Sequence, residues 1–522
     1  METAVVVELL LLLLIAASLI WMATRRLRLP YTIALVFGGF LIDLFHLPIL
    51  EHIGEESASG WLTPDLIFLV FLPGLLFEAG INIQVRQLLD NLRPILLVAI
   101  LGLVIATTAT GYLISWGTGL PLTAALVFGA LISATDPISV LALFKQLGVS
   151  KRLSVMVEGE SLFNDGTAVV AFQILLATVA TGDLNFADGL VRFLIVALGG
   201  LGIGLALGYL VSMVTARIDD PQVEITLTTI LAYGSFLLAE HFHVSGVIAT
   251  VGAGLMIGNF GAEQGMSSRT RVALWSFWEY VGFVINSLIF LLIGIEVHIL
   301  DLISYWQPIL FAIFAVLAGR ALAIYPLAPI AARLAAPYPA SWNHVMFWGG
   351  VHGGVSIALA LSLGADFPQR DLVMAMTFGV VAFSIIVQGL TVSPLLSFLG
   401  IQAGKEDEYD EVRVRQWSTA RALDELEAMQ ADHAVSPPVY RKLREELETQ
   451  QAQVEDRIKS LHQESAHWAE DEERAARVRL IRAEKTAIQK ALTEGLISHH
   501  TAEELSAKAD DRLDELVGAG HH

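Results

Sequence analysis

Seven of the ionisable side chains within the long apolar stretches of this chain are candidates for chemistry, and three of them fall within the eleven residues EGESLFNDGTA, 158–168. Such groups are expensive inside apolar segments of membrane length, so each is a functional hypothesis by default. Six are carboxylates, which bind either a proton or a hard cation through oxygen. The seven are Glu78, Asp136, Glu158, Glu160, Asp165, Glu296 and Arg320.

The spacing within residues 158–168 predicts two pairs on one helix. Ser161 and Asp165 lie four residues apart and share a face, and so do Glu160 and Asn164. Burial favours the neutral form of a carboxylate, so Asp165 is expected to alternate between a protonated and a cation-bound state. A proton and a cation that compete for one carboxylate are sufficient for exchange.

Two of the apolar segments carry residues that break a helix. Pro137, in SATDPISV, removes a backbone donor and clashes with the preceding turn, which leaves polar backbone groups free near Asp136. Asp136 then either offsets the positive end of the following half-helix or serves only to stabilise the broken helix. The second weak point is the glycine-rich WGGVHGGVS, residues 348–356. Interrupted helices of this kind point to a binding site near the middle of the membrane.

The remaining polar residues have competing interpretations. Glu160 is expected to form a buried ion pair with Arg320 rather than to bind a cation. Glu78 fits either a gating or a structural role, and Glu296 is the weakest candidate. His352, between glycines, fits local packing better than a proton relay.

The elements that must position these residues are transmembrane helices. The 522 residues are 55% hydrophobic and only 16% charged, with a mean hydropathy of +0.62. Segments of about 20 apolar residues cross a bilayer core as helix, and the first is expected to be retained as a span rather than cleaved as a signal peptide. The sequence predicts thirteen spans, at 3–23, 30–48, 62–81, 94–116, 121–146, 153–180, 187–215, 222–242, 244–260, 274–298, 304–335, 341–363 and 371–399.

The two interrupted spans are the fifth and the twelfth. An offset of seven reverses the direction of a helix, so spans 1–6 and 8–13 are predicted to be inverted repeats. Orientation follows from the basic residues of the short loops. With the N-terminus outside, the cytoplasmic loops hold twelve Lys and Arg and the opposite loops hold only Arg192 and Arg370. The C-terminal tail is then cytoplasmic.

Charge divides the chain into a membrane domain, 1–402, and a tail, 403–522. From residue 405 onward the tail carries 17 Lys and Arg and 27 Asp and Glu, within a total net charge of −20. Neither part is basic, which argues against nucleic acid as a partner, and the absence of cysteine excludes thiol chemistry and disulfides. The tail is expected to form solvated helices or a short coiled coil, or alternatively a regulatory module.

Three motifs in order along the chain resemble the NhaP/NHE branch of the cation:proton antiporters. They are ATDP at 134–137, EGESLFNDGTA at 158–168 and GGVHGGVSIALAL at 349–361, and the resemblance covers roughly residues 1–400. It implies a homodimer of thirteen-helix protomers in the membrane, each with a dimerisation domain and a mobile six-helix core. The motion implied is elevator-like.

The resemblance also implies roles for individual residues. Asp165 matches the ion-binding aspartate, and its neutral neighbour Asn164 matches an electroneutral branch that exchanges one proton per sodium. Thr135 and Ser161 match positions that supply oxygen ligands, and Asp136 matches the acidic residue of the unwound helix. The remaining matches are Glu160 with Arg320 as a structural pair and Glu78 as an acidic residue on the approach to the site.

The expected function is therefore exchange of Na⁺, and also of Li⁺, for H⁺ across the plasma membrane, in sodium extrusion and pH homeostasis. No cofactor and no enzymatic reaction are expected. The alternatives are a K⁺/H⁺ or Ca²⁺/H⁺ antiporter, because oxygen ligands suit all of these cations, and an ion-gated channel or sensor with the tail as its output.

Overall fold

The computed structural model describes most of the chain and divides it into two compact units, residues 1–402 and 403–522. All secondary structure in the described residues is helical. The described ranges are 3–27, 31–44, 63–181, 186–262, 266–296, 303–334, 338–401, 405–464, 477, 480–481, 484–488, 491–492 and 496–518.

Helical structure coincides with each of the thirteen predicted segments within the described residues. The predicted ends of the second, tenth and eleventh segments, and the starts of the second and third, lie outside those residues. The helices are α1 (Thr3–Leu27), α2 (Tyr31–Leu44), α3 (Leu66–Asn82), α4 (Leu92–Thr118), α5 (Leu122–Ser133), α6 (Ile138–Leu147), α7 (Lys151–Thr181), α8 (Phe186–Thr215), α9 (Pro221–His241), α10 (Gly246–Gly261), α11 (Ser268–Glu296), α12 (Trp306–Leu334), α13 (Ser341–Trp348), α14 (Gly354–Leu361) and α15 (Arg370–Phe398). A short turn of helix, Val85–Asp90, follows α3.

Apolar length is what makes these segments membrane helices. Within the described residues, seven helices are long and apolar enough to cross a membrane by length and composition, and five shorter apolar helices accompany them. Helix α5 is apolar on all sides and is buried along almost its whole length, from Ala124 to Ile132. An all-round apolar helix belongs inside a bundle, surrounded by other helices.

The membrane helices pack as two groups. The core group consists of α4–α7 and α12–α15, and the panel group consists of α1–α3 and α8–α11. Within the core group α5 contacts α4, α7 and α14, whereas within the panel group α10 contacts α3, α8 and α9. Links between the groups are sparser and include α7 with α10 and α11 with α14.

Small residues allow the panel helices to approach closely. A Cβ atom on Gly39 of α2 would overlap the carbonyl oxygen of Leu291, and one on Gly294 of α11 would overlap that of Val36. Such glycine contacts are typical of membrane bundles, where van der Waals packing replaces the hydrophobic drive.

The tail unit is built from charged helices with a thin apolar seam. Its longer helices, within the described residues, are α16 (Lys405–Ala431), α17 (Pro437–Glu464) and α18 (His499–Gly518). Helices α16 and α17 pack together, and Val412 and Leu461 form the buried centre of the seam. Pro437 stands at the first position of α17, where a missing N–H costs nothing.

Candidate ion-binding site

Two stretches of extended chain cross inside the core group. The first, residues 134–137, separates α5 from α6, and the second, residues 350–353, separates α13 from α14. The Asp136 amide donates to the carbonyl oxygen of Val351 at 2.6 Å. The carbonyl oxygen of Ala134 lies 3.1 Å from His352 Nδ1 and accepts from Ser356 Oγ at 3.2 Å. The backbone groups freed by each break are therefore satisfied in part by the other break, as an apolar interior requires.

Asp136 stabilises the start of α6. Its Oδ1 atom accepts a hydrogen bond from the amide of Ile138 at 3.0 Å, and a carboxylate in that position also complements the positive end of the helix. The side chain faces Gly353, because a Cβ atom there would lie 2.6 Å from Asp136 Oδ2. Asp136 also lines the larger cavity of the core group, so it has access to an ion as well as a structural contact.

That cavity has a volume of about 290 Å³ and is bordered by helices of both groups. Asp165 of α7 lines it together with Ser161, one turn earlier, and Thr135 of the extended stretch. Ser161 Oγ donates to the carbonyl oxygen of Thr135 and lies 3.2 Å from Thr135 Oγ1. The Asp165 Oδ1 atom is buried and has no hydrogen-bond partner among the described residues. One carboxylate oxygen is thus available beside a hydroxyl and a carbonyl oxygen.

The predicted pairs on α7 face two different cavities. Ser161 and Asp165 line the larger one, whereas Glu160 and Asn164 line a second cavity of about 30 Å³ inside the core group. The Asn164 amide nitrogen donates to the carbonyl oxygen of Ser133 at 2.7 Å and to Thr135 Oγ1 at 3.2 Å. Asn164 therefore contacts Thr135, which lines the larger cavity, although Asn164 itself does not line it.

Glu160 and Arg320 form a bidentate ion pair between α7 and α12. The two distances are 3.3 Å for Nη1–Oε1 and 3.2 Å for Nη2–Oε2, and the side chains are 5% and 11% exposed respectively. Arg320 also donates to the carbonyl oxygens of Met346, at 2.7 and 3.2 Å, and Phe347, at 3.1 Å. These carbonyls end α13, so the guanidinium caps the first half of the interrupted span.

Glu78 of α3 lines the larger cavity. Its Oε1 atom accepts from Asn82 Nδ2 at 2.6 Å, and Asn82 is exposed. Glu158 lines the same cavity from α7. Two carboxylates besides Asp136 and Asp165 therefore line this cavity. Glu296 does not line the cavity.

The sequence pattern marked Glu158 as a candidate without a specific role and did not mark Asn82 or Asn286, and all three line this cavity. A signal existed for Glu158, which lies seven residues before Asp165 and shares its helix face. Asn82 likewise lies one turn after Glu78. Asn286 is a polar residue inside the apolar run of α11, and its spacing relates it to no other candidate.

A small change at Gly353 tests the contact with Asp136. We expect Gly353→Ala to push the Asp136 carboxylate away, because a methyl group at that position overlaps it. The Na⁺ concentration for half-maximal exchange should rise between roughly tenfold and a hundredfold, as small displacements in a preorganised site do. Gly364→Ala is the matched control, since nothing lies within 4 Å of a Cβ there. Unchanged Na⁺ dependence in Gly353→Ala would contradict the contact.

Comparison with solved structures gives the class of protein. The chain resembles the sodium proton antiporter MjNhaP1 from Methanocaldococcus jannaschii at pH 8, with a TM-score of 0.65 and 20% sequence identity. The match covers 77% of this chain and 100% of that one. The chain is therefore an all-helical, multi-pass membrane protein with the fold of MjNhaP1.

Sequence comparison then gives the family. The model of the family "Sodium/hydrogen exchanger, transmembrane" matches residues 11–398, and the chain belongs to that family. It is 38% identical over 510 residues to the Na⁺/H⁺ antiporter NhaG of Bacillus atrophaeus, covering 97% of this chain and 96% of NhaG. It is also 40% identical to ApNhaP of Aphanothece halophytica, covering 82% of this chain and 81% of ApNhaP. The resemblance inferred from the three motifs is confirmed, and the family is one of transporters rather than enzymes.

Proposed function

We propose that this chain exchanges Na⁺ or Li⁺ for H⁺, with Asp165 as the carboxylate that the two ions share. The observation that carries the proposal is that Asp165 lines the 290 Å³ cavity and that its buried Oδ1 atom has no partner among the described residues. Thr135, Ser161 and Asp136 supply further oxygens beside it. Asn164 orients Thr135 through its amide nitrogen.

Competition at one carboxylate explains the coupling. The cation binds when Asp165 has released its proton, and the proton returns when the cation has left. Glu160 is occupied by Arg320, and Asn164 carries no charge. With Asp165 as the carboxylate that titrates, one positive charge is exchanged for another, and we infer electroneutral exchange of one Na⁺ for one H⁺.

The two helix groups suggest how access alternates. The larger cavity lies where the core group meets α3 and α11 of the panel group, and contacts between the groups are sparse. We propose that the core group moves against the panel group and carries the site across the membrane, with spans 1–6 and 8–13 as inverted repeats and with two copies of the chain forming a dimer.

The loop charges suggest which side the cavity faces. Asn82, the exposed residue at the end of α3, lines the cavity, and the connection that follows carries Arg86, with Arg93 in the first turn of α4. By the positive-inside rule this end is cytoplasmic. We propose an inward-facing conformation in the plasma membrane, with the N-terminus outside, the tail in the cytoplasm, and Glu78 on the path of the ion.

A cation panel in proteoliposomes tests the proposed substrates. We expect Na⁺ and Li⁺ gradients to drive saturable movement of protons in the opposite direction, measured with a pH-sensitive dye inside the vesicles. K⁺ and Ca²⁺ at equal ionic strength should give much smaller rates. If K⁺ or Ca²⁺ drives proton movement equally well, the proposed cation selectivity is wrong. Cation flux without proton movement in the opposite direction would indicate a channel.

The same assay, with residues 405–522 deleted, tests the division of the chain. We propose that residues 1–402 carry exchange and that the tail is regulatory. The shortened protein should keep the ion preference of the full chain and differ only in its pH profile. Loss of all exchange in a protein that still elutes as a single species would show that the tail is required for transport itself.

A further inference from the structure

The second cavity of the core group lies behind Asp165 and has a mixed polar lining. Its volume is about 30 Å³, and α4, α5, α7 and α12 surround it. Most of its wall is apolar, but Glu160, Asn164, Arg320 and His352 also border it. None of these four lines the larger cavity.

Asn164 lines this cavity and carries an acceptor that has no partner among the described residues. The residue is 4% exposed, and its amide nitrogen donates to the Ser133 carbonyl oxygen and to Thr135 Oγ1. Rotating the amide by 180° would set two carbonyl oxygens against each other, so the orientation is fixed. The Oδ1 atom is buried and receives no hydrogen bond from the described residues. Buried polar atoms in proteins almost always have a partner, whether protein or ordered water.

His352 presents a second acceptor. Its Nδ1 atom lies 3.1 Å from the Ala134 carbonyl oxygen, which can only accept, so Nδ1 carries the proton. The other ring nitrogen, Nε2, is then an acceptor, and no hydrogen bond reaches it from the described residues. The side chain is 4% exposed.

Arg320 presents a donor. Four of its five N–H groups account for the hydrogen bonds to Glu160, Met346 and Phe347. One N–H of Nη1 remains. The residues around the cavity thus offer two acceptors and one donor, which is the complement of a single water molecule.

We propose that this cavity is a binding site for one buried water. The water accepts from Arg320 Nη1 and donates to Asn164 Oδ1 and His352 Nε2. A volume of about 30 Å³ is large enough for a water, and three hydrogen bonds are the usual number for a buried one. A second Na⁺ is disfavoured at the same place, because the guanidinium of Arg320 borders it.

This water gives Asn164 and His352 a shared positioning role. It holds the Asn164 amide with its nitrogen toward Thr135, and it connects the ion site to the Glu160–Arg320 pair. That consequence rests on the proposed function, because it concerns the affinity of the Asp165 site. The water itself does not, since its presence depends only on the residues around the cavity.

High-resolution cryo-electron microscopy tests the site. The full-length protein would be imaged in nanodiscs of phosphatidylethanolamine and phosphatidylglycerol. We expect a density peak at hydrogen-bond distance, roughly 2.7–3.2 Å, from both Asn164 Oδ1 and His352 Nε2. A map that resolves waters elsewhere in the core group but shows no peak here would overturn the proposal, whatever the transport activity.

Two substitutions at His352 supply a matched functional test. An asparagine can keep the hydrogen bond to Ala134 but has no atom at the Nε2 position, whereas a glutamine places a polar atom near it. We expect His352→Asn to lose the peak and to raise the Na⁺ concentration for half-maximal exchange roughly tenfold, a typical effect of a supporting residue. His352→Gln should restore both. Equal peaks and equal Na⁺ dependence in the two variants would contradict the assignment of Nε2.

A wrong assignment of Asp165 and a wrong assignment of the water site give different experimental results. If the wild-type map shows the peak but Asp165→Asn still exchanges Na⁺ for H⁺, the water site stands and the role of Asp165 is wrong. Thermal midpoints of both His352 variants, measured in the same lipid, separate a local effect from loss of the fold.

Discussion

Replacing Asp165 with asparagine is expected to abolish Na⁺-driven proton movement, to the level of protein-free vesicles. Asparagine keeps the size and the hydrogen-bonding capacity of the side chain but can neither release a proton nor attract a cation by charge. Thr135 and Ser161 remain in place, yet neutral oxygens alone provide no coupling. The folded protein should survive, since the change removes a buried carboxylate oxygen that has no partner among the described residues.

Thermal unfolding with and without Na⁺ separates lost binding from lost folding. A ligand that binds only the folded state stabilises it by about 2.7 kcal/mol at a hundred times its dissociation constant. The wild-type protein should therefore melt at a higher temperature in Na⁺ than in a large organic cation, and Asp165→Asn should not. Gln173→Ala is the matched control on α7, because Gln173 is exposed on the same helix. A Na⁺-dependent shift that persists in Asp165→Asn would place the ion elsewhere.

The second large effect concerns stability rather than transport. Glu160→Gln strands the Arg320 charge inside the core group, and Arg320→Gln strands the Glu160 carboxylate and also frees the carbonyls that end α13. Breaking one partner of a buried pair costs about 3–5 kcal/mol. We expect both variants to unfold at lower temperature and to give lower yields, with Arg320→Gln the worse of the two.

Two control variants test whether the loss of stability comes from an unpaired buried charge. The double variant should be more stable than Arg320→Gln alone, because no charge is left unpaired. Glu448→Gln breaks an exposed pair with Arg444 in the tail, where the side chains are 55% and 48% exposed, and should change stability by about 0–1 kcal/mol. Wild-type stability in Glu160→Gln, together with a large loss of Na⁺ affinity, would show that Glu160 is a ligand and not a structural partner.

The sequence was sufficient to locate the helices and their breaks because the physical signals are local. Apolar runs of membrane length mark α4, α7 and α12, and Pro137 and the glycines of 349–354 mark the two extended stretches. The spacing on α7 also predicted that Ser161 and Asp165 share a face. Each of these conclusions depends on residues within a few turns of one another.

Contacts between distant residues set the rest of the site. The hydrogen bond from Asp136 to Val351 and the bonds from Arg320 to the end of α13 follow from how two breaks cross in three dimensions. Nothing in the spacing of Glu160 and Asn164 indicates that they border a separate cavity. The direction of the Asn164 amide depends on the Ser133 carbonyl, which is 31 positions away.

The null point of exchange, which is the pair of Na⁺ and H⁺ gradients at which net proton movement stops, tests the central claim most directly. Proteoliposomes would be prepared with fixed Na⁺ and H⁺ gradients, and a K⁺ gradient with valinomycin would set the membrane potential. If Asp165 trades one Na⁺ for one H⁺, net proton movement stops when the two gradients are equal, at every potential applied. A null point that shifts with potential would contradict the account, because it would require more than one proton, and so a second titrating group, in each cycle.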